Sequence, residues 1–353
     1  MPDERQQYGG QAVVEGVMMR SPRYFAVACR RLSTGEIVVR QEPVETVLRR
    51  VMWLNRPFLR GTLALIDAMA LGMKALTYAA NVQAQDAFPN PGGAGAAGAV
   101  DLAMGEGAPP LAPPTPNAGG AGTESQTIND IAIGLTSVLA LLFGFGLFWT
   151  LPAFLTDPFL PGYGRLSASL VEGGIRLAIF FLYIGLISQM AHVRRVFQYH
   201  GAEHKAINTL EAGLPVTLEN ARRASRIHPR CGTNFIFIVL VTAILVFSIL
   251  PRHSLHEGIG PVLETAGLRL LLLPVVAGIA FEILKWAGAN RDKSWAQALI
   301  APGLWTQYLT TRVPDDSQIE VAIVALESVW DKEHEAAPAP LAPAADEPAA
   351  VVA

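Results

Sequence analysis

Four long apolar segments constrain the fold of this chain more than any other feature of its sequence. They run from about Ile131 to Leu155, Ile175 to Met190, Phe235 to Leu250 and Leu268 to Ala287. A helix of about 20 apolar residues crosses the hydrocarbon core of a bilayer, and the shorter segments suffice if their polar ends lie among the headgroups. A buried core helix would explain any one segment, but four in succession predict a mainly α, polytopic membrane protein.

Basic residues give these predicted spans an orientation. Arginines and lysines are frequent before the first span, between the second and third, and after the fourth, whereas the loops 156–174 and 251–267 contain only Arg165 and Arg252. The cytoplasmic loops of membrane proteins carry the excess of Lys and Arg. The sequence therefore predicts that both termini and the insert at 193–232 lie in the cytoplasm.

The N-terminal residues 1–56 predict a small cytoplasmic β element. Two strand-like runs, 25–29 and 37–39, are separated by a plausible hairpin turn. Residues 9–20 are punctuated by glycines, which leaves two alternatives. They could form a loop that brings Glu15 close to a site, or a bulged strand at a sheet edge.

Hydrophobic periodicity and composition divide the rest of the chain. Apolar residues at three- and four-residue spacing, interrupted by charges, predict an amphipathic helix on the membrane or against the bundle, and stretches of Ala, Gly and Pro predict disorder. The predicted order after the β element is an amphipathic helix at 57–85, a disordered linker at 86–125, two spans within 126–192, a helical hairpin at 193–232, two spans within 233–288, cytoplasmic helices at 289–335 and a disordered tail at 336–353.

The hairpin region carries histidines at a metal-binding spacing. In a helix, His200 and His204 share one face, one turn apart, and two imidazoles so placed can hold a zinc-like ion. Glu203 beside them could be a further ligand or act as a general base toward water. The order H-x-x-E-H is the reverse of the zinc-protease motif H-E-x-x-H. The alternative is a surface helix whose histidines face water or pack against a neighbour.

The predicted geometry of the hairpin extends this group of ligands. One helix is expected at about 200–212, a second at about 218–227, and a short turn folds them antiparallel. The end of the second helix then returns beside the start of the first. His228 and Cys231 thus become candidate third and fourth metal ligands.

Other charged residues leave open alternatives. Glu211 is predicted to lie about 10 Å along the helix from the metal site, at the distal tip with Glu219, where both could be solvated charges. Glu282 in the fourth apolar segment is either functional or the partner of a basic residue in the bundle. Glu282 and Lys205, together with Glu203, are the candidate catalytic residues.

Several separate motifs together resemble the YqhQ-like family of bacterial membrane proteins. They lie at residues 9–20, 200–205, 228–233, 281–283, 301–312 and 319–323. That family is described as predicted metal-dependent enzymes. The resemblance implies a polytopic protein of the bacterial inner membrane, with its site at His200, Glu203, His204, His228 and Cys231.

Composition and motif together favour a metal-dependent hydrolase at the cytoplasmic face of the membrane, with zinc as the expected ion. The net charge of −3 lacks the basic field of a nucleic-acid-binding protein, so the expected partner is the lipid bilayer. Cys29 and Cys231 are the only cysteines, which excludes a site of several thiolates. The alternatives are a non-catalytic membrane scaffold or assembly factor with a structural metal, and a transporter.

Overall fold

A computed structural model describes residues 8–44, 56, 58–87, 139, 142–144, 146–156, 164–250, 258–290 and 292–335. The described chain is mainly helical, with one small antiparallel sheet, as the sequence predicts. The strands are β1 Gly9–Val13, β2 Gly16–Arg20, β3 Tyr24–Arg30 and β4 Ile37–Pro43. The α-helices are α1 Leu59–Ala87, α2 Leu151–Thr156, α3 Arg165–Ile187, α4 Ala191–Glu211, α5 Leu218–Arg223, α6 Gly232–Phe247, α7 Ile259–Ala289, α8 Ser294–Thr310 and α9 Asp316–Glu335; a π-helical turn, Gly146–Thr150, precedes α2.

Some predicted regions lie outside the described residues. They are the tail at 336–353, the linker at 86–125 apart from its first two residues, and residues 131–138, 140, 141 and 145 of the first apolar segment. The third apolar segment forms only the 16-residue helix α6. By length and hydropathy, three helices could cross a membrane, at Arg60–Ala87, Leu166–Ile187 and Leu263–Ala289.

The sheet is a meander in the order β1-β2-β3-β4, with every neighbouring pair antiparallel. Residues 9–20 form neither the loop nor the bulged strand considered above. They form a regular hairpin in which Val13 faces Gly16 across a two-residue turn. Glu15 in that turn has a φ of 51°, a left-handed conformation that closes the chain reversal.

The two faces of the sheet pack against different helices because side chains alternate along each strand. One face, which includes Val17, Met19 and Ala28, lies in a core with α4 and α9. The other face, which includes Val27 and Cys29, lies in a second core with α1. The small sheet is thus covered on both sides, which explains why strands with so few polar residues are stable here.

Helix α1 differs from the predicted amphipathic helix in having two apolar faces. Leu71, Ala75 and Ala79 pack against the sheet, whereas Met69 and Met73 are more than half exposed on another face. The first turn of α1 contacts α7, where a Cβ on Gly278 would lie 2.2 Å from the backbone oxygen of the residue before α1. The expectation that this helix packs against the bundle therefore holds for its first turn only.

Contacts divide the chain into two compact units. The first contains Met1–Gln83, Ile184–Thr242 and Leu273–Ala353, and thus the sheet and α4, α5, α8 and α9. The second contains Ala84–Tyr183 and Ala243–Leu272. Within the second unit, the buried Glu172 and Arg176 are paired at 2.6 Å, an ion pair that the sequence analysis did not predict.

Candidate metal centre

Helix α4 carries the candidate site on the side opposite its core face. Tyr199, Ala202 and Ala206 are fully buried against the sheet side, which turns His200 and His204 toward the segment that precedes α6. The helix starts at Ala191, nine residues before the predicted start, because the apolar spacing continues upstream through the 190s. It ends where Gly213 adopts a φ of 72°, a conformation that caps a helix.

Three side chains converge on one point. The ligand atoms of His200, His204 and Cys231 all lie within 4.8 Å of one another. His200 Nε2 is 3.2 Å from Cys231 Sγ, and the centroids of the two imidazole rings are 4.4 Å apart. Two imidazoles and a thiolate at this separation match the donors that bind a tetrahedral zinc ion and leave its fourth position open.

Backbone carbonyls fix the tautomers of both histidines. His200 Nδ1 lies 2.8 Å from the Thr310 carbonyl oxygen, and His204 Nδ1 lies 2.6 Å from that of Arg226. Because a carbonyl can only accept, each neutral ring carries its proton on Nδ1 and presents an unprotonated Nε2 to the cluster. Metal-binding histidines are oriented by such contacts. Within the described residues, the buried His204 Nε2 has no hydrogen-bond partner of normal geometry, so no donor competes with a metal ion for its lone pair.

Cys231 is held in position by Thr233. Its side chain is buried, and its sulfur accepts the Thr233 hydroxyl at 3.3 Å and the Thr233 amide at 3.5 Å. These two contacts fix the sulfur beside the histidines. Burial lowers the pKa of His204, and the Cys231 sulfur opposes that shift. His204 therefore stays neutral, and able to bind metal, at pH values below those at which a free imidazole takes up a proton.

Glu203 is the buried carboxyl group next to this cluster. Burial raises its pKa to about 7, against opposing effects of His200, His228 and the Gly10 amide. Its Oε2 has no hydrogen-bond partner within the described residues. A carboxyl group that titrates near neutrality can take up and release a proton at physiological pH, as a general base must.

The pKa of Glu203 leads to a prediction about stability. In the unfolded chain this group ionises near pH 4.5, whereas in the fold it ionises near 7. The native state is therefore progressively destabilised as pH rises between these values, by about 2–3 kcal/mol at pH 8. The measurement is the free energy of unfolding of metal-free protein from pH 5 to pH 8. Over that range, Glu203→Gln should gain about 2–3 kcal/mol of stability relative to wild type. The control Glu219→Gln, at an exposed carboxylate paired with Arg223, separates the effect of the buried position from that of losing one carboxylate. A pH-independent difference for Glu203→Gln would contradict the buried carboxyl group.

His228 lies beside the cluster but is not one of the three converging side chains. Its Nε2 is 3.1 Å from Glu211 Oε1, and its ring centroid is 5.7 Å from that of His204. Glu211 also pairs with Arg230. The predicted position of Glu211 at a solvated distal tip is therefore wrong. The reason is that the second helix, α5, ends at Arg223, four residues before its predicted end, and the extended chain after it reaches along the length of α4.

The remaining candidate residues make structural contacts. The ammonium group of Lys205 donates to the carbonyls of Arg222 at 2.7 Å and Ala224 at 2.6 Å, which caps the end of α5. Glu282 accepts from Arg60 Nε at 2.7 Å, and so has the basic partner that the sequence analysis considered. Glu15 is buried and bonds to α4 through the Tyr199 hydroxyl at 3.1 Å.

Helix α8 and the chain after it contribute contacts that the sequence analysis did not identify. Arg312 N–H donates to the Phe197 carbonyl at 2.8 Å, and a Cβ on Gly201 would lie 2.2 Å from the Arg312 carbonyl oxygen. Gln307 is fully buried and donates to the His228 carbonyl at 2.8 Å. Gly201 inside a helix was a signal of close approach that the sequence did offer.

Fold and site together define a mainly helical protein with membrane-length apolar helices and a His-His-Cys cluster beside a small sheet. The chain belongs to the family described as protein of unknown function (DUF1385), whose model matches residues 56–332. It is similar to the "Uncharacterized protein YqhQ" of Bacillus subtilis (strain 168), at 32% identity over 332 residues that cover 90% of each chain. No solved structure matches the chain. The predicted YqhQ-like membership is confirmed, and the function has to be argued from the site.

Proposed function

We propose that this protein is a metal-dependent hydrolase that acts at the cytoplasmic face of a bacterial inner membrane. The observation that carries the proposal is the convergence of His200 Nε2, His204 Nε2 and Cys231 Sγ, with both Nδ1 atoms engaged by carbonyls. Three protein ligands with one open position are typical of catalytic zinc rather than structural zinc. When bound, a zinc-like ion would supply Lewis-acid polarisation of the scissile carbonyl or phosphoryl group.

The residues of the chain supply the rest of the chemistry. His200 and His204 hold their neutral tautomers through the Thr310 and Arg226 carbonyls. Glu203, with a pKa near 7, accepts a proton from the attacking water and returns it to the leaving group. Burial of Glu203 and His204 keeps bulk water from competing for these proton transfers.

Cobalt substitution separates this proposal from a structural metal site. Cobalt-loaded protein should change its visible spectrum when acetohydroxamate is added, because a small chelating anion can enter an open coordination position. In a scaffold, Glu203 or His228 would close the site as a fourth ligand, and the spectrum would not respond. His204→Ala is the control that should lose the cobalt spectrum itself. An unresponsive cobalt spectrum in the wild type would overturn the hydrolase.

The membrane orientation is a separate proposal, supported by the three apolar helices and the arginine distribution. A reporter active only in the cytoplasm should give signal when inserted near Gly213 or after Ala337, and none near Gly162 or Glu257. Each insertion should be compared at matched protein levels by immunoblot. Signal from the Gly162 position would show that the orientation is reversed.

A further inference from the structure

β1 forms one edge of the sheet. It is the first strand, and no strand within the described residues pairs with its outer side. An unpaired strand edge presents a row of N–H and C=O groups at the spacing of a second extended chain. Recognition by strand addition depends on these backbone groups and tolerates many side chains.

The register of the hairpin shows which groups face this edge. Val13 and Gly16 flank a two-residue turn and so form a hydrogen-bonded pair. Such pairs alternate along antiparallel strands, and Gln11 is therefore the next residue bonded to β2. The N–H and C=O groups of Gly10 and Ala12 point away from β2, toward the outer edge. The Gly10 amide is bonded to Glu203 there, and the groups of Ala12 lie next to it along the strand.

Gly10 brings this edge to the candidate metal centre. A Cβ on Gly10 would lie 2.9 Å from Glu203 Cγ and 2.6 Å from the Met18 carbonyl oxygen. The absence of a side chain thus allows Glu203 to approach the backbone of β1. The same carboxyl group interacts electrostatically with His200, so the outer edge of the strand leads past the general base toward a metal ligand.

We propose that the substrate of this site is an extended peptide segment that adds as a strand to the outer edge of β1. This inference rests on the proposed hydrolase. Ala12 bonds the backbone of the peptide, and the next peptide group along the edge is presented beside Glu203. The oxygen of a water molecule forms a bond to the carbonyl carbon, and the C–N bond breaks. The proton taken from water by Glu203 goes to the leaving amine, so the step needs no oxidant or reductant.

The composition of β1 supports a peptide over a bulkier ligand. Gly10 and Ala12 leave the face of β1 near α4 without large side chains. The N–H and C=O of Ala12, with the C=O of Gly10 two residues away, match the spacing of the backbone groups of an extended polypeptide. Two added backbone hydrogen bonds should strengthen binding about tenfold to thirtyfold.

The test compares two hydroxamates on the cobalt-loaded, full-length protein. The tetrapeptide derivative acetyl-(Ala)4-hydroxamate should bind about tenfold or more tightly than acetohydroxamate, as read from the cobalt spectrum. A version of the peptide with N-methyl groups at alternate residues should lose that gain. If acetohydroxamate fails to bind, the proposed function is overturned and the inference with it. If it binds and the peptide binds no more tightly, the peptide inference alone is overturned.

Proline variants test the position of the peptide. Ala12→Pro removes an N–H that points away from β2, a change that edge strands tolerate, and it should abolish the gain from the peptide. Acetohydroxamate binding and metal content on the same sample report an intact site. The matched control is Val39→Pro on β4, the strand at the opposite edge of the sheet. The Arg31 N–H donates to the Glu36 carbonyl at 2.9 Å, so these two residues are a hydrogen-bonded pair. Because such pairs alternate along antiparallel strands, the Val39 N–H points away from β3. A full peptide gain in Ala12→Pro would overturn the proposal.

Discussion

Protein purified from metal-replete cells is expected to hold about one zinc-like ion per chain, and His200→Ala, His204→Ala and Cys231→Ala should hold almost none. Each change removes one of only three converging ligands. Changes in groups that merely orient ligands cost about 10- to 100-fold in metal affinity, so loss of a ligand itself should cost more. The measurement is metal content by elemental analysis after gel filtration, with protein quantified on the same fractions.

Matched controls exist on the same chain. His192 lies on α4 but is exposed, and Cys29 is buried in the sheet. His192→Ala and Cys29→Ala should therefore keep the ion. The metal centre is refuted if wild-type protein carries no stoichiometric metal and His200→Ala has the same metal content and stability as wild type.

Gly201→Ala is expected to lower both stability and metal content. Its Cβ would lie 2.2 Å from the Arg312 carbonyl oxygen, a backbone atom that cannot rotate away. Overpacking of this kind costs about 1–3 kcal/mol or more. The displaced chain includes Thr310, whose carbonyl orients His200, so metal affinity should fall as well. Thermal unfolding in detergent and elemental analysis on the same preparations give the two measurements.

Another helical glycine provides the comparison for this variant. A Cβ on Gly185 in α3 would meet nothing within 4 Å. Gly185→Ala should therefore be neutral or stabilising by up to about 1 kcal/mol, because alanine favours the helix. If Gly201→Ala unfolds at the wild-type temperature, the segment after α8 does not pack on α4 as described.

The sequence predicted those features that depend on the type of a residue or on the spacing of residues along one helix or strand. Two apolar, strand-like runs joined by a turn identified β3 and β4, and the i, i+4 spacing placed His200 and His204 on one face. The return of the chain after a short turn made Cys231 a candidate ligand. Each of these inferences depends on local geometry, which residue type and spacing report directly.

The contacts that the sequence could not reveal involve backbone atoms and distant segments. The carbonyls of Thr310 and Arg226 orient the histidines, and a carbonyl looks the same for every residue type. His228 was expected near the metal, yet its ring meets Glu211, because the length of α5 depends on packing rather than on propensity alone. The second apolar face of α1 was missed because a spacing of three to four residues identifies one apolar face of a helix and does not reveal another.

The way in which α9 covers the sheet has a consequence for biosynthesis. Ser21 at the end of β2 bonds to Glu333 in α9 at 2.6 Å, across 312 residues of chain. At about 5–20 residues per second, translation separates the two by about 15 to 60 seconds. Throughout that interval the nascent sheet lacks the helix that covers Val17 and Met19. The N-terminal β element therefore leaves the ribosome well before the last helix that the structure describes, and during that interval a chaperone can bind its exposed apolar face.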